Sequence, residues 1–495
     1  MILERFRATA EQHPDALAIV DGDERITYAR LLDEVGRVRA WLRQGVDPRP
    51  HDVVAISMSN RCQYAAIFLA LCDSGAVLMP CNPQLRPAEL RALSAKVNMR
   101  GVIADRASRA VWEQTGAVPA RAILCIDDAQ FPKQPAPREI PQRVVDTAAL
   151  YMATSGSTGV PRVVPLSQLN LIGSVVNASG AMAMGRGDRI ISVVPFHHLH
   201  GFNNCMLMPL LSGATVIMMQ RFVPEEYARL AAREQATVII ASPFIFSQLA
   251  ERVTSPADLA SVRLCISSGA RLQARLVERW KERFGSTIVS WYGTTETSGI
   301  SMAHARRQPC SGLGGEFVGM PLPNVRVRCV DADGNDTGTG RPGEILACSP
   351  ATMSGYLGEP QITRQVLVDG FFRTGDLGYM DSDGGLYLTG RIGRMINVGG
   401  IKVDPVEVER AIEAIAGVAT VYVDCVPGTR AGEMIRARIV VRAGVELTRA
   451  DIIRNCRLRL GEYKLPRIIE FVESIPVTLA GKTPRALASG TGGAQ

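Results

Sequence analysis

Short runs of apolar residues alternate with amphipathic stretches from residue 2 to residue 291. Residues 53–57, 238–241 and 264–267 are apolar runs of strand length, whereas residues 28–44 and 225–235 repeat their apolar positions with helical spacing. Strands and helices that follow one another in this way form mostly parallel sheets covered by helices. The pattern therefore predicts an α/β fold with a large N-terminal domain of layered sheets.

The pattern changes near residue 325 and again after residue 391. Short strands and turns rich in Gly and Asp crowd residues 325–391, which is typical of a small β-rich part. Beyond it, two helical stretches and three strand-length runs predict a compact α+β domain. We therefore predict an N-terminal domain over 1–391, a hinge at 392–395, a mobile C-terminal lid domain over 396–488 and a disordered tail at 489–495.

Composition narrows the class of protein. A chain of 495 residues exceeds the size at which one core keeps growing, so at least two domains are expected. The hydrophobic content of 46% and the mean hydropathy of +0.08 suit a packed globular protein. The net charge of +7 is dispersed along the chain, so no nucleic-acid partner is expected.

Targeting signals and cysteines bear on location. The N-terminal pattern is not that of a signal peptide, and no uninterrupted apolar stretch reaches about 18 residues, which predicts no membrane insertion. The 11 cysteines are scattered without a CxxC pair. Such usage predicts reduced thiols and a cytoplasmic location.

The most informative stretch is residues 151–162, YMATSGSTGVPR, which begins in an apolar run. Its glycines allow backbone conformations closed to other residues, and successive backbone amides with hydroxyls can surround an anion. Its last residue, Arg162, can direct a guanidinium fork at phosphate oxygens. The GxxxxGK[ST] pattern is absent, so this is not a Walker loop. We interpret the stretch as a phosphate-binding loop with contacts from Thr154, Ser155, Gly156, Ser157, Thr158, Gly159 and Arg162.

Four further motifs follow along the chain. In order, they are YGTTE at 292–296, FRTGDL at 372–377, LTGR at 388–391 and TLAGKTPR at 478–485. Each motif is weak alone, but the ordered set resembles the adenylate-forming superfamily, which includes acyl- and aryl-CoA synthetases. The resemblance extends from about residue 10 to residue 487. It implies a large domain that binds ATP and a carboxylic acid, followed by a small mobile domain.

The resemblance also implies how ATP and Mg²⁺ are held. Glu296 is expected to bind Mg²⁺ together with Thr158, because a hard cation prefers oxygen ligands, and Thr295 is expected to hydrogen-bond the α-phosphate. Asp376 and Arg391 are expected at the ribose. The other nucleotide contacts are expected from Gly269, Ala270 and Arg271 on the adenine side and from Tyr292, Gly293 and Thr294.

Lys482, in TLAGKTPR, is the expected catalytic cation. In the family the matching lysine moves in with the small domain and bridges the acid carboxylate and the α-phosphate. A flexible point charge suits a site that must be assembled and taken apart.

The second half-reaction is expected to use the loop at 397–405, NVGGIKVDP, as a tunnel for the thiol arm, with contacts from Gly399, Gly400 and Lys402. Glycines there allow close approach to a narrow chain. Arg436 and Lys464 are candidates, with Lys402, for a basic patch that meets the 3′-phosphate of CoA.

Three positions depart from the family pattern. Arg162 stands where Lys is usual, Gly393 where the hinge normally carries Asp or Lys, and Arg394 where relatives often carry an acidic residue. Arg162 keeps the charge, so phosphate binding is expected to survive while loop closure is slower. Glycine can absorb a large φ/ψ change, so the hinge is expected to keep its motion.

Three histidines lie within residues 195–203, PFHHLHGFN. No Cys or Asp partner has the spacing that a metal site with these histidines would need. The resemblance instead places His198 beside the reacting carboxylate. It implies an acid pocket formed by His200, Phe202, Asn203 and Met206.

The same segment bears on the class of acid. Relatives that activate amino acids carry an Asp here to pair with the α-ammonium, and this chain has no Asp between Asp188 and Asp258. A buried ammonium without a partner costs several kcal/mol. We therefore expect an aryl or aliphatic acid without an α-amino group.

Three functions are compatible with these motifs. The leading interpretation is an AMP-forming acid:CoA ligase that uses ATP, Mg²⁺ and CoA. The alternative is a freestanding adenylation enzyme that loads the phosphopantetheine arm of a carrier protein, because the first step is the same. The third function is that of an inactive homologue that acts only by binding. It is disfavoured because the chain carries the expected site residues Glu296, Asp376, Arg391 and Lys482. The motifs specify neither the individual acid nor the oligomeric state.

Overall fold

The computed structural model describes residues 1–134, 147–154, 162–303, 314–392, 396–398, 401–427 and 433–475. By their contacts these residues divide into two units. The first unit lies within Met1–Arg306, Pro321–Arg326 and Ala347–Phe372, and the second within Arg307–Met320, Val327–Leu346 and Arg373–Gln495. The domain boundaries expected near residues 391 and 396 stay predictions.

The described residues form thirteen α-helices, among them those at the two amphipathic stretches 28–44 and 225–235. In chain order they are α1 Ile2–Gln12, α2 Tyr28–Gly45, α3 Gln63–Ser74, α4 Pro87–Lys96, α5 Arg106–Glu113, α6 Gln168–Met182, α7 Met208–Leu211, α8 Pro224–Glu234, α9 Pro243–Arg252, α10 Ala274–Phe284, α11 Pro360–Val366, α12 Pro405–Glu413 and α13 Arg449–Arg457. A π-helix, His200–Leu207, precedes α7. Among the described helices, none is both long enough and apolar enough to cross a membrane.

The strands follow the short apolar runs. They are β1 Leu17–Asp21, β2 Glu24–Thr27, β3 Val53–Ser57, β4 Val77–Pro80, β5 Met99–Ala104, β6 Ile123–Cys125, β7 Ala148–Thr154, β8 Arg162–Ser167, β9 Arg189–Ser192, β10 Thr215–Met218, β11 Val238–Ala241, β12 Leu264–Ser267, β13 Ile288–Thr294, β14 Ser298–Met302, β15 Glu316–Pro321, β16 Arg326–Val330, β17 Gly343–Cys348, β18 Leu367–Val368, β19 Phe371–Met380, β20 Leu386–Arg391, β21 Ile396–Val398, β22 Ile401–Val403, β23 Val418–Pro427, β24 Glu433–Val441 and β25 Ile468–Phe471.

Two mostly parallel sheets form the first unit. One has the order β14-β13-β12-β11-β9-β10-β1-β2, with antiparallel pairs at both ends and parallel pairs between them. The other has the order β6-β5-β3-β4-β7-β8 and is parallel except for β7 with β8. Every residue of β11 is fully buried, as expected of a central parallel strand covered on both faces. The predicted α/β class is confirmed.

Helix α6 and strand β8 were not predicted from the hydrophobic pattern. Ser167 and Asn170 start α6 with a capping box, in which the Asn170 amide donates to Ser167 Oγ at 3.1 Å and the Ser167 amide donates to Asn170 Oδ1 at 3.0 Å. These bonds satisfy donors that the first turn of a helix leaves unpaired. The helix therefore starts immediately beyond β8.

The second unit contains a β-rich part and an α+β part. The β-rich part is a sheet in the order β16-β17-β19-β20-β15. The α+β part is the sheet β23-β24-β25, whose buried face packs with α12 and α13 around Val408, Ile412, Val423, Ile439 and Ile452. The predicted change from an α/β pattern to a β-rich pattern and then to an α+β pattern is therefore present in the structure.

Candidate active site

A β-hairpin brings together the two ends of the predicted phosphate loop. Strands β7 and β8 are antiparallel, Thr154 pairs with Arg162 in their register, and Thr154 Oγ1 donates to the Arg162 carbonyl at 3.3 Å. The residues between them, including Ser155, Gly156, Ser157, Thr158 and Gly159, lie outside the described residues, so their contacts with phosphate stay predictions. The hairpin fixes where the loop leaves the sheet and where it returns.

The side chain of Arg162 contacts an acidic and an aromatic residue. Its Nε lies 3.6 Å from Glu359 Oε2, and its guanidinium carbon lies 5.4 Å from the centre of the Tyr356 ring. A guanidinium over an aromatic face gains electrostatic attraction from the ring. Arginine can make both contacts at once, whereas the smaller ammonium of lysine lacks the planar fork.

Glu296 lies in the turn that follows β13, and Tyr356 contacts it directly. The Tyr356 hydroxyl donates to Glu296 Oε1 at 2.7 Å, and the Met353 amide donates to the Glu296 carbonyl at 2.7 Å. Burial, followed by the charge of Glu296, raises the pKa of Tyr356 well above its ordinary value, so the phenol keeps the proton that it donates. Glu296 and Arg162 therefore share Tyr356 as a neighbour.

The other predicted nucleotide residues of the first unit follow two adjacent parallel strands. Gly269, Ala270 and Arg271 follow β12, whereas Tyr292, Gly293 and Thr294 end β13 and Thr295 follows it. Carboxyl ends of neighbouring parallel strands meet at one edge of a sheet, where α/β proteins bind ligands. A Cβ at Gly293 would lie 2.1 Å from the Ser298 carbonyl oxygen, so only glycine fits this position.

The histidine segment begins after β9 and leads into the π-helix. The rings of His197 and His198 lie 4.5 Å apart, and His200 Nδ1 lies 3.2 Å from Asn204 Nδ2 and 3.1 Å from Ser268 Oγ. Burial, with a smaller contribution from His198, lowers the pKa of His197 to about 3 and that of His200 to about 4. Both rings are therefore neutral at pH 7.

Three of the four predicted acid-pocket residues are buried by packing within the first unit. Phe202 is fully buried and packs edge-to-face on Phe68, with ring centres 4.8 Å apart, and Met206 is also buried. Asn203 donates to Ser174 Oγ at 2.9 Å, and its Oδ1 has no hydrogen-bond partner among the described residues. Ser174 in turn contacts the hydroxyl of Ser298. This polar chain, which the motifs did not indicate, connects the π-helix with Ser298, the first residue of β14 after the turn that holds Glu296.

Asp376 and Arg391, predicted at the ribose, are neighbours in the second unit. They face each other in the register of β19 and β20, and Arg391 Nε lies 3.4 Å from Asp376 Oδ1. The Arg391 side chain is 59% exposed, whereas that of Asp376 is 13% exposed. The arginine head is therefore open to solvent beside a carboxylate held in the sheet.

The expected CoA-binding residues of the second unit differ in their surroundings. Arg436 is buried and makes two bonds of 2.8 Å to Asp424, which does not fit an exposed basic patch. Lys464 Nζ lies 2.6 Å from Glu407 Oε1. Gly399, Gly400, Gly393, Arg394 and Lys482, together with the side chain of Lys402, lie outside the described residues, and their roles stay predictions.

Comparison with known proteins identifies the class. Residues 6–357 match the family described as AMP-binding enzyme, and residues 407–482 match the AMP-binding enzyme C-terminal domain. Because the first match alone spans well over half of the chain, this protein belongs to the AMP-binding enzyme family. The predicted membership of the adenylate-forming superfamily is confirmed.

Individual relatives extend over almost the whole chain. Sulfoacetate–CoA ligase of Cupriavidus necator is 30% identical over 488 residues, which cover 96% of this chain and 95% of that protein. Feruloyl-CoA synthase of an Amycolatopsis species is 31% identical over 479 residues, with coverages of 96% and 95%. The crystal structure of ATP-bound MatB from Rhodopseudomonas palustris has a TM-score of 0.90 at 26% identity, over 99% of each chain. These comparisons support an acid:CoA ligase that uses ATP and CoA, and not the carrier-protein alternative.

The neutral state of His200 predicts how stability depends on pH. Its pKa is about 4 in the folded protein and near 6.5 when unfolded, so between these values the unfolded state binds more protons. Above pH 6.5, His200 should therefore not lower the free energy of unfolding. As the pH falls from 6.5 through 4, protonation of His200 in the unfolded state should lower that free energy by up to about 3 kcal/mol. His200→Asn, which keeps an acceptor near the Nδ1 position, should reduce the loss of stability measured by urea unfolding between pH 7 and pH 4.5.

His51→Asn, at an exposed histidine, is the matched control for the removal of an imidazole. An equal loss of stability in the wild type and in His200→Asn would contradict the assignment of a neutral, buried His200.

Proposed function

We propose that this enzyme activates a carboxylic acid without an α-amino group and transfers its acyl group to CoA. In the first step a carboxylate oxygen of the acid attacks the α-phosphorus of ATP, the bond to the bridging oxygen breaks, and pyrophosphate leaves. In the second step the CoA sulfur attacks the acyl carbon, its proton is released, and AMP leaves. The sum converts acid, ATP and CoA into acyl-CoA, AMP and pyrophosphate.

The observation that carries this proposal is the contact of Tyr356 with both Arg162 and Glu296. Arg162 ends the predicted phosphate loop, and Glu296 is the carboxylate of YGTTE. An anion-binding cation and a cation-binding anion that contact the same tyrosine suit a metal-bound polyphosphate. Such chemistry depends mainly on positioning and on electrostatic stabilisation of the reacting phosphate.

The donor chemistry of the site fits Mg²⁺. Among the described residues no group of three His, Cys, Asp or Glu side chains could hold a metal alone. Mg²⁺ commonly binds to one or two carboxylates together with substrate phosphates, so Glu296, with Thr158, would hold it. When bound, Mg²⁺ would offset the negative charge of the phosphates.

Further residues of this chain would contact the reacting groups and the nucleoside. Thr295 would hydrogen-bond the α-phosphate, His198 would lie beside the reacting carboxylate, and Asp376 would accept the ribose hydroxyls. Lys482 would supply positive charge between the acid and the α-phosphate. The adenine side would be formed by Gly269, Ala270 and Arg271.

The surroundings of His200 support an acid without an α-amino group. Its hydrogen-bond partners among the described residues are Asn204 and Ser268, which are uncharged. Asp188, the nearest preceding Asp in the sequence, is paired with Arg263 at 2.7 Å. An α-ammonium brought here would lose hydration without gaining a carboxylate partner. The relatives named for sulfoacetate and feruloyl substrates act on acids that also lack an amine.

A pyrophosphate-release screen with and without CoA tests the function. Aryl, short-chain and medium-chain acids should include at least one that releases pyrophosphate and, with CoA, yields AMP and a thioester. Proteinogenic amino acids should be about a hundredfold poorer or worse, because an unpaired ammonium costs a few kcal/mol. Efficient activation of an amino acid would contradict the proposed substrate class, and adenylate that CoA cannot discharge would contradict the ligase.

Glu296→Gln should raise the Mg²⁺ concentration needed for half-maximal ATP binding by about tenfold or more, the scale of losing one charged contact. The amide oxygen can still accept the Tyr356 hydroxyl, so the fold should be kept. Calorimetric ATP titrations at several Mg²⁺ concentrations measure this effect. Glu225→Gln, a carboxylate paired with Arg252 at 2.9 Å, is the control. An unchanged Mg²⁺ dependence would remove Glu296 from the metal site.

Lys482→Ala should reduce acyl-adenylate formation by roughly a hundredfold or more, which is the range for removing one preorganised charge. Transfer from supplied acyl-AMP to CoA should be much less affected, because the α-phosphate bond is already made. Single-turnover assays of each half-reaction separate the two effects, with Lys281→Ala, an exposed lysine of α10, as the control. Equal losses in both half-reactions would contradict the assigned role.

A further inference from the structure

One segment of the first unit, residues 349–359, joins the two sides of the candidate phosphate site. Its Met353 amide bonds to the Glu296 carbonyl, and its Leu357 amide donates to the Val163 carbonyl at 3.0 Å. Asn170 Nδ2 donates to the carbonyls of Pro350 and Thr352 at 3.0 Å each. The segment is therefore fixed to the Glu296 turn, to β8 and to the start of α6.

Backbone geometry at the end of this segment orients Tyr356 and Glu359 together. Gly355 has φ +151°, and a Cβ there would lie 2.6 Å from Thr363 Cγ2. Thr363 Oγ1 accepts the Tyr356 amide at 2.9 Å and donates to the Glu359 carbonyl at 2.8 Å. One threonine of α11 thus bonds to the backbone of both Tyr356 and Glu359, whose side chains contact Arg162.

The carboxylate of Glu359 contacts two cations. Its Oε1 lies 2.9 Å from Lys96 Nζ at the end of α4, and its Oε2 lies 3.6 Å from Arg162 Nε. The Glu359 and Arg162 side chains are 20% and 21% exposed. Both are partly desolvated, so their attraction is stronger than that of a pair on the open surface.

We propose that the Glu359 carboxylate occupies the place of a phosphate at Arg162 until ATP binds. The phosphates of ATP then displace Glu359 from Arg162, and Lys96 keeps Glu359 paired after the exchange. This inference rests on the proposed function, because it takes Arg162 to bind the phosphates of ATP. Carboxylate and phosphate oxygens compete for the same guanidinium donors. The triphosphate carries more charge than one carboxylate and takes over the guanidinium.

The two partners of Glu359 should therefore act in opposite directions on ATP affinity. Glu359→Gln removes the competitor, so ATP should bind about two- to fivefold more tightly, the scale of one partly exposed ion pair. Lys96→Gln removes the other cation that pairs with Glu359, so Glu359 should hold Arg162 more strongly. ATP should therefore bind about two- to fivefold more weakly. The maximal rate of adenylate formation at saturating ATP should change little in either variant.

A double-variant cycle distinguishes this exchange from a general effect of net charge. In the Glu359→Gln background, Lys96→Gln should have no further effect on the Kd for ATP, because Lys96 acts through Glu359. Independent charges would instead give effects that add. Glu225→Gln, which removes a carboxylate from the Arg252 pair elsewhere in this unit, should leave the Kd unchanged.

The measurement is calorimetric titration of each full-length variant with ATP and Mg²⁺, with thermal unfolding as the check on folding. Opposite shifts in the single variants and no added effect in the double variant would support the exchange. If the wild type binds ATP but Glu359→Gln does not bind it more tightly, or the two effects add, the exchange is wrong while the proposed function stands. If the wild type does not bind ATP, both fail.

Discussion

The hydrogen bond from Tyr356 to Glu296 joins two stretches of the chain that are 60 residues apart. A glutamate in a turn has several staggered rotamers open to it, and a fixed donor favours one of them. The same ring lies beneath the guanidinium of Arg162. One aromatic side chain therefore relates the predicted anion-binding and cation-binding groups. In a reaction that depends on the positions of charges, this contact matters more for where it holds Glu296 and Arg162 than for the energy of the hydrogen bond itself.

Charge is distributed unevenly around the first unit's candidate site. The groups around Tyr356 are ionic, whereas Asn204 and Ser268, which hydrogen-bond to His200, are uncharged. Burial also lowers the pKa of the His200 imidazole, which keeps it neutral. The polar chain from Asn203 through Ser174 to Ser298 extends from the neighbours of His200 to the first residue of β14. A polyphosphate and an uncharged organic group require just such different surroundings, since burying an unpaired charge is costly.

Local patterns in the sequence predicted most strands and helices, because buried parallel strands are continuous apolar runs and covering helices are amphipathic. The resemblance predicts Asp376 and Arg391 at the ribose, which stays a prediction, and the register of β19 and β20 makes the two residues neighbours. Contacts between distant residues could not be predicted in this way. Nothing near Glu359 in the sequence indicates Lys96, and nothing near Arg436 indicates that Asp424 neutralises it.

Phe202 shows a second limit of sequence reasoning. The resemblance predicts Phe202 in the acid pocket, and that role stays a prediction, while the structure adds that its ring packs on Phe68. The pattern of apolar positions reports that a side chain is buried, but not against what. The backbone hydrogen-bond register is equally invisible, so the π-helix at His200–Leu207 had no signal of its own.

That π-helix has a consequence for how this enzyme could diversify. The Met208 amide bonds to the Asn203 carbonyl five residues earlier, so the turn contains one residue more than an α-helical turn. Loss of a single residue would let the segment become α-helical and would rotate the side chains that precede the deletion relative to those that follow it. His200 and Asn203 could then exchange orientations with their neighbours while the surrounding sheet stayed unchanged. A one-residue change in length, rather than substitution of individual side chains, would thus redirect several side chains of this segment at once.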